Sequence, residues 1–159
     1  MGYDGKTGTD PEAITEWKDL FTLYINCYDV HEVCCEGTKY RQILFDGRAE
    51  GEAFNGKILP GGVDTQIEYP DGSGSLSARY MLEGTDGEGA LCHMYIDNSA
   101  ALGEETTHPK ILSDSRFLRR LKDVKLKGRM INDDDGLRII IKAEADRSIA
   151  CRGKEGGIL

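Results

Sequence analysis

Val63-Asp64-Thr65-Gln66-Ile67-Glu68-Tyr69-Pro70-Asp71-Gly72-Ser73-Gly74-Ser75-Leu76-Ser77-Ala78-Arg79-Tyr80-Met81-Leu82 decides the architecture. Val63, Ile67 and Tyr69 alternate with Asp64, Gln66 and Glu68. Beyond the turn, Leu76, Ala78, Tyr80 and Leu82 alternate with Ser75, Ser77, Arg79 and Met81. A period of two puts each set on one face of an extended strand. Pro70-Asp71-Gly72 supplies a turn, since Pro presets its φ and Gly accepts a positive one. The stretch therefore reads as an antiparallel hairpin with one buried face.

The same pattern extends in both directions. Leu20 to Cys27 is rich in β-formers, with Leu23, Ile25 and Cys27 on one side. Tyr40 to Phe54 is extended, and Gly47 and Gly51 within it predict bulges or close backbone approaches. Asn55-Gly56 carries the strongest local hairpin signal, and Pro60-Gly61-Gly62 bends the chain. Asp86-Gly87 turns again before Leu91 to Ile96. Turn signals recur at intervals of about 15 residues, the rhythm of a hairpin meander rather than of βαβ units. Ser99 to Ser115 reads as a long irregular connection, with His31 and His108 both in loops. Arg116 to Leu121 can make a helical turn, and Leu137 to Ala143 is a strong closing strand. About eight or nine strands without covering helices must close to hide their edges. The expectation is an all-β, single antiparallel up-and-down β-barrel spanning 19–148, with a flexible lead-in at 1–18 and a tail at 149–159.

Composition supports one folded domain. The 159 residues are 39% hydrophobic and 30% charged, and the 20 glycines against 4 prolines fit tight turns rather than a disordered tail. A net charge of −8 argues against nucleic acid and anionic membrane as partners. The five cysteines, Cys27, Cys34, Cys35, Cys92 and Cys151, include no C-x-x-C pair. With no secretory leader and no long apolar run, this predicts a disulfide-free cytoplasmic protein. No two histidines have metal-ligand spacing, so neither a metal nor a cofactor is expected. Asp133-Asp134-Asp135-Gly136 lacks the spaced ligands and terminal Glu of a calcium loop and reads as a turn.

From Gly51 to Asp64 the chain reads Gly-Glu-Ala-Phe-Asn-Gly-Lys-Ile-Leu-Pro-Gly-Gly-Val-Asp. Asp71-Gly72, Ala78-Arg79-Tyr80 and Asp86-Gly87 follow in order. This ordered set resembles the bacterial family known as domain of unknown function 3237, or uncharacterised protein family 0311, over roughly Leu20 to Ala143. Thr65 stands where many members carry Trp. The resemblance implies a calycin-like barrel and no established general activity.

Several residues are candidates for a ligand site in the lumen. A simple hairpin centred near 71–72 places Asp64 opposite Arg79, a pair able to hold a carbonyl or carboxylate oxygen. Tyr80 can add an oxyanion donor. Glu50, with Glu52, offers acid–base chemistry if enclosed, and His93 and Tyr95 share a face of their strand. Each also has a plainer reading, as an outer-wall ion pair, surface charge or core contact. Two functional expectations follow, a barrel that binds a small, partly apolar molecule and a cofactor-free isomerase, cyclase or lyase using a lumen carboxylate with Arg79 or Tyr80. A third is an interaction module, a homo-oligomer or one using the basic stretch from Arg116 to Arg129.

Overall fold

The computed structural model describes residues 16–145. Eight antiparallel strands follow one another around a closed ring: β1 (Trp17–Cys35), β2 (Thr38–Glu50), β3 (Phe54–Glu68), β4 (Gly74–Asp86), β5 (Leu91–Ala101), β6 (Thr106–Ser113), β7 (Leu126–Asp133) and β8 (Gly136–Glu144). Each strand pairs with the next, and β8 returns to β1 through Leu23 opposite Ile139 and Phe21 opposite Ile141. The all-β barrel reading holds, with eight strands. Trp17 and Lys18, assigned above to the lead-in, already belong to β1; 1–15 and 146–159, with Cys151, lie outside the described residues. No helix among the described residues is long and apolar enough to cross a membrane.

Three local readings change. Asn55-Gly56 does not turn the chain but lies inside β3, where Gly56 sits opposite Gly84. The reversal falls at Gly51 to Ala53, and Asn55 braces it from the following strand. Its Nδ2 donates to the Gly51 carbonyl at 2.8 Å, and the Gly51 N–H donates to its Oδ1 at 3.2 Å. Ser99 to Ser115 is not irregular throughout, for it contains β6 with His108 in it. His31 is likewise in a strand, opposite Gln42. In these cases strand pairing with a neighbour overrides a local turn or loop signal.

The two ends of the barrel differ. At the lower end, where β1 begins, Phe21 and Phe54 meet edge to face at 6.0 Å. Leu23, Leu82, Met94, Ile111 and Ile141 are buried around them. Burying each such side chain contributes about 1.5–3 kcal/mol. Between β6 and β7 a single 3-10 turn, Arg119–Asp123, sends Leu118 and Leu121 into this core. Asp86 and Ser115 fasten that segment. The Ser115 hydroxyl donates to Asp86 Oδ2 at 2.6 Å, while Asp86 Oδ1 accepts the N–H groups of Glu88 and Ala90. Ser115 Oγ then accepts the N–H groups of Phe117 and Leu118, both at 3.1 Å. The Ser115 hydrogen bond, with the backbone donors behind it, holds the Asp86 carboxyl below its ordinary range.

Two substitutions test this scaffold. A Cβ on Gly56 stands 2.3 Å from the Glu83 carbonyl oxygen and 2.8 Å from Gly84 Cα, both backbone atoms. Gly56→Ala is therefore expected to destabilise by about 3 kcal/mol in urea unfolding. Asp86→Asn should lower the melting temperature at pH 7. Because the folded carboxyl titrates below its unfolded value, this stabilisation is present above pH 3.8 and is lost as pH falls through the folded value. The gap between wild type and Asp86→Asn should close on that acid side.

Candidate functional site

Pairing register fixes what the lumen contains. Tyr80 and Leu82 are buried inward on β4, so Ala78, two residues from Tyr80, shares their face. Asp64 lies opposite Ala78, and Ala78 opposite Asn98, which carries the inward face across three strands. On β6 the inward set includes Thr107, opposite Gly128 of β7. Phe45 and Tyr80 meet edge to face at 5.1 Å. Below that pair the lumen is apolar down to the Asp86–Ser115 pair at its base; at its level and above, polar groups enter.

Four of these polar atoms stand out. Asp64 Oδ1, Tyr80 Oη, Asn98 Oδ1 and Thr107 Oγ1 are buried and have no hydrogen-bond partner among the described residues. Asn98, Thr107 and Tyr80 are only 1%, 0% and 4% exposed. Such atoms are rare in native interiors, since each unsatisfied group costs about 1–3 kcal/mol. A fifth atom of this kind, Arg138 Nε, is on the outward set of β8, and its guanidinium pairs with Asp133 at 2.6 Å. The inward wall beside the four atoms is low. Gly62, Ala78, Ala100 and Gly128 occupy inward positions there, and a Cβ on Gly128 stands 2.2 Å from the Thr107 hydroxyl.

Toward the upper end the lumen opens. Cys27 and Val30 belong to the inward set of β1 yet are exposed. Cys27 shares its level with Phe45, and Val30 with Ile43. The bulge between Cys27 and Asp29 keeps both on the inner face. Above them the same faces carry an ion-pair rim. Arg41 bonds Glu32 and approaches Glu68 at 3.7 Å, and Lys39 approaches Glu68 at 3.7 Å.

Burial dominates the electrostatics. It raises the Asp64 carboxyl above its ordinary value, against the opposing hydrogen bonds from Gln66 Nε2 at 2.8 Å and the Ser77 backbone N–H. The Tyr80 phenol is pushed far up by burial and stays neutral. Burial and then the Asp64 charge push up the Cys27 thiol.

Of the residues singled out from sequence, Asp64 and Tyr80 face the lumen. Four do not. Arg79 is on the outer wall, 64% exposed and 3.6 Å from Asp97. Five residues, Tyr69 to Ser73, turn the chain between Glu68 and Gly74, so the hairpin centres on Asp71 and sets Arg79 against Val63. That one-residue step moves the guanidinium to the opposite face. Glu50 is exposed and bonds Arg48 at 3.0 Å. His93 faces out and meets Asp114, whose Oδ1 accepts the His93 N–H at 2.7 Å. Tyr95 lies half-exposed opposite Met81 and Leu112, because its neighbours Met94 and Ile96 take the inner face. Asn98 and Thr107 escaped the sequence reading. For Asn98 a signal existed: it continues the alternating set of Met94 and Ile96. For Thr107 none did, since its strand read as loop.

Outside the lumen, a hollow of about 440 Å³ beside the 3-10 turn is lined by Glu88, Arg116, Phe117 and Arg120, with Arg120 stacked 5.2 Å from the Phe117 ring. Cys34 and Cys35 are exposed free thiols, and Cys92 is a buried one.

The molecule is thus an eight-stranded antiparallel barrel with an apolar lower core and a polar upper lumen. A family model described as protein of unknown function (DUF3237) matches residues 17–116, and the chain belongs to that family. A UPF0311 protein of Clostridium acetobutylicum is 46% identical over 56 residues, 35% of this chain and 33% of that one. The chain thus aligns to about a third of that curated relative. Among solved structures, a protein of unknown function from Clostridium acetobutylicum superposes with a TM-score of 0.70 at 21% identity, covering 82% of this chain and 97% of that one. An enzyme from Penicillium herquei does so at 0.67 and 16% identity, covering 82% and 95%. At these identities the likeness shows the shared fold.

The raised Asp64 carboxyl gives a signed expectation for stability. Folding favours its protonated form, so the contribution of Asp64 to stability is greatest below pH 3.8 and declines as pH rises through the window up to the folded value. Asp64→Asn should abolish that decline. Its melting temperature should exceed that of wild type at pH 7 and match it below about pH 4.

Proposed function

We propose that the upper lumen binds a small, partly apolar molecule. One observation carries this reading: four inward polar atoms, on β3, β4, β5 and β6, are buried without a partner among the described residues. Ligand sites place a few convergent polar groups in an otherwise apolar enclosure. Phe45, Ile25 and Ile43 supply apolar surface beside Asp64, Tyr80, Asn98 and Thr107. The exposed inner faces of Cys27 and Val30 provide a way in. Free thiols and the net charge of −8 fit a cytoplasmic setting away from nucleic acid.

A second reading, proton-transfer catalysis without a cofactor, is favoured by one feature. A carboxyl held above its ordinary value shares an inner face with a neutral phenol, the pairing an acid–base enzyme uses. One fold neighbour is described as an enzyme. Arg79 has no part in this version, for it faces outward.

Substitutions that keep shape and remove polarity test the binding reading. Thr107→Val and Tyr80→Phe delete unpartnered groups, so stability should hold or rise by up to about 1 kcal/mol. Native mass spectrometry of wild type against a metabolite library should reveal a retained small molecule, and both variants should hold it about tenfold more weakly. If the variants lose stability in the ligand-free protein, or wild type retains no molecule, the binding reading fails. Turnover of a retained molecule by wild type, abolished in Asp64→Asn, would select the catalytic version.

A further inference from the structure

Resting on that lumen-binding reading, we infer that the molecule it takes is an organic cation, an amine whose ammonium group pairs with Asp64 while its apolar body packs on Phe45 and Tyr80.

The argument is a count of charges on one face. Among the described residues, the inward set above the lower core carries five charged side chains: Glu32, Lys39, Arg41, Asp64 and Glu68. Four of them neutralise one another at the rim. Arg41 bonds Glu32, and Lys39 and Arg41 both lie 3.7 Å from Glu68. Asp64 is left over. No lysine or arginine among the described residues approaches it; its polar contacts there are the neutral Gln66 amide and the Ser77 N–H. One of its two oxygens is buried with no donor facing it. A buried carboxylate without a counter-charge is costly, and a cation from outside the chain removes that cost.

The neighbouring groups agree in sign. Asn98 Oδ1 is an obligate acceptor, as is ionised Asp64 Oδ1, while Tyr80 and Thr107 hydroxyls can accept as well as donate. Two of the four atoms therefore require donors, and the other two can accept from them. An ammonium offers three, and a carboxylate or phosphate offers none. Aromatic walls favour the same occupant, since the faces of Phe45 and Tyr80 attract positive charge. The cations of the outer wall cannot serve the lumen. Arg48 lies over the Tyr24 ring at 4.1 Å, Arg79 meets Asp97, and Lys142 bonds Asp19.

Three probes of one size separate the possibilities: benzylammonium, benzyl alcohol and benzoate, each titrated into the full chain at neutral pH and followed by the amide NMR shifts of Ala78, Asn98 and Thr107. Benzylammonium is expected to shift these amides and to bind about tenfold more tightly than benzyl alcohol, with benzoate giving no shift. Asp64→Asn should erase the preference for the amine over the alcohol. Should the alcohol or benzoate bind as tightly as the amine, the cation assignment falls while lumen binding stands. Should Asp64→Asn keep the amine preference, the pairing with Asp64 falls. If none of the three moves the lumen amides, both the assignment and the lumen-binding reading fall.

Discussion

Closure of the hydrogen-bonded ring is the constraint on which the rest depends. A sheet of eight strands without covering helices leaves two rows of unpaired backbone groups unless its first and last strands meet. Here they meet along Trp17 to Ile25 of β1 and Leu137 to Glu144 of β8. Closing a ring of this size tilts and bends the strands, and the bends fall at bulges between Cys27 and Asp29, Phe45 and Gly47, and Ile58 and Val63. Gly47 fits its bulge because a Cβ there would stand 2.0 Å from the Tyr24 carbonyl oxygen. Once the ring is closed, each residue is committed to inside or outside, and the contents of the lumen follow from parity along the strands.

That commitment divides the interior by depth. The lower half is sealed by aromatic and aliphatic side chains and by Leu118 and Leu121 of the 3-10 segment. The upper half carries the polar groups, below the exposed inner faces of Cys27 and Val30. Unpartnered groups at Asp64, Tyr80, Asn98 and Thr107 work against stability, which the lower core must offset.

Much of the architecture was legible in the sequence. Leu76, Ala78, Tyr80 and Leu82 announce a strand by parity alone, and Pro70-Asp71-Gly72 announces its turn. The site was legible only in part. Asp64 and Tyr80 are inward as a parity reading permits. Arg79 was misplaced because a loop of five residues rather than an even number shifts the pairing by one, and no local signal reports loop length to that accuracy. Asn55-Gly56 misled in the opposite way. Its turn chemistry is real, yet the side chain braces the neighbouring reversal from within β3. Thr107 was hidden because β6 is short and contains Pro109, which suppresses a strand reading.

β1 outruns its partner. Past Ile25 it pairs, among the described residues, with β2 alone, so within them the segment from Asn26 to Cys35 shows one open flank of main-chain donors and acceptors. Tyr28, Val30 and Val33 are exposed along it, a composition prone to recruiting foreign strands. Asp29 and Glu32 interrupt that run with charge, and the kink beside Tyr28 spoils a flat template. The overhang thus carries its own safeguard against stacking into fibrils.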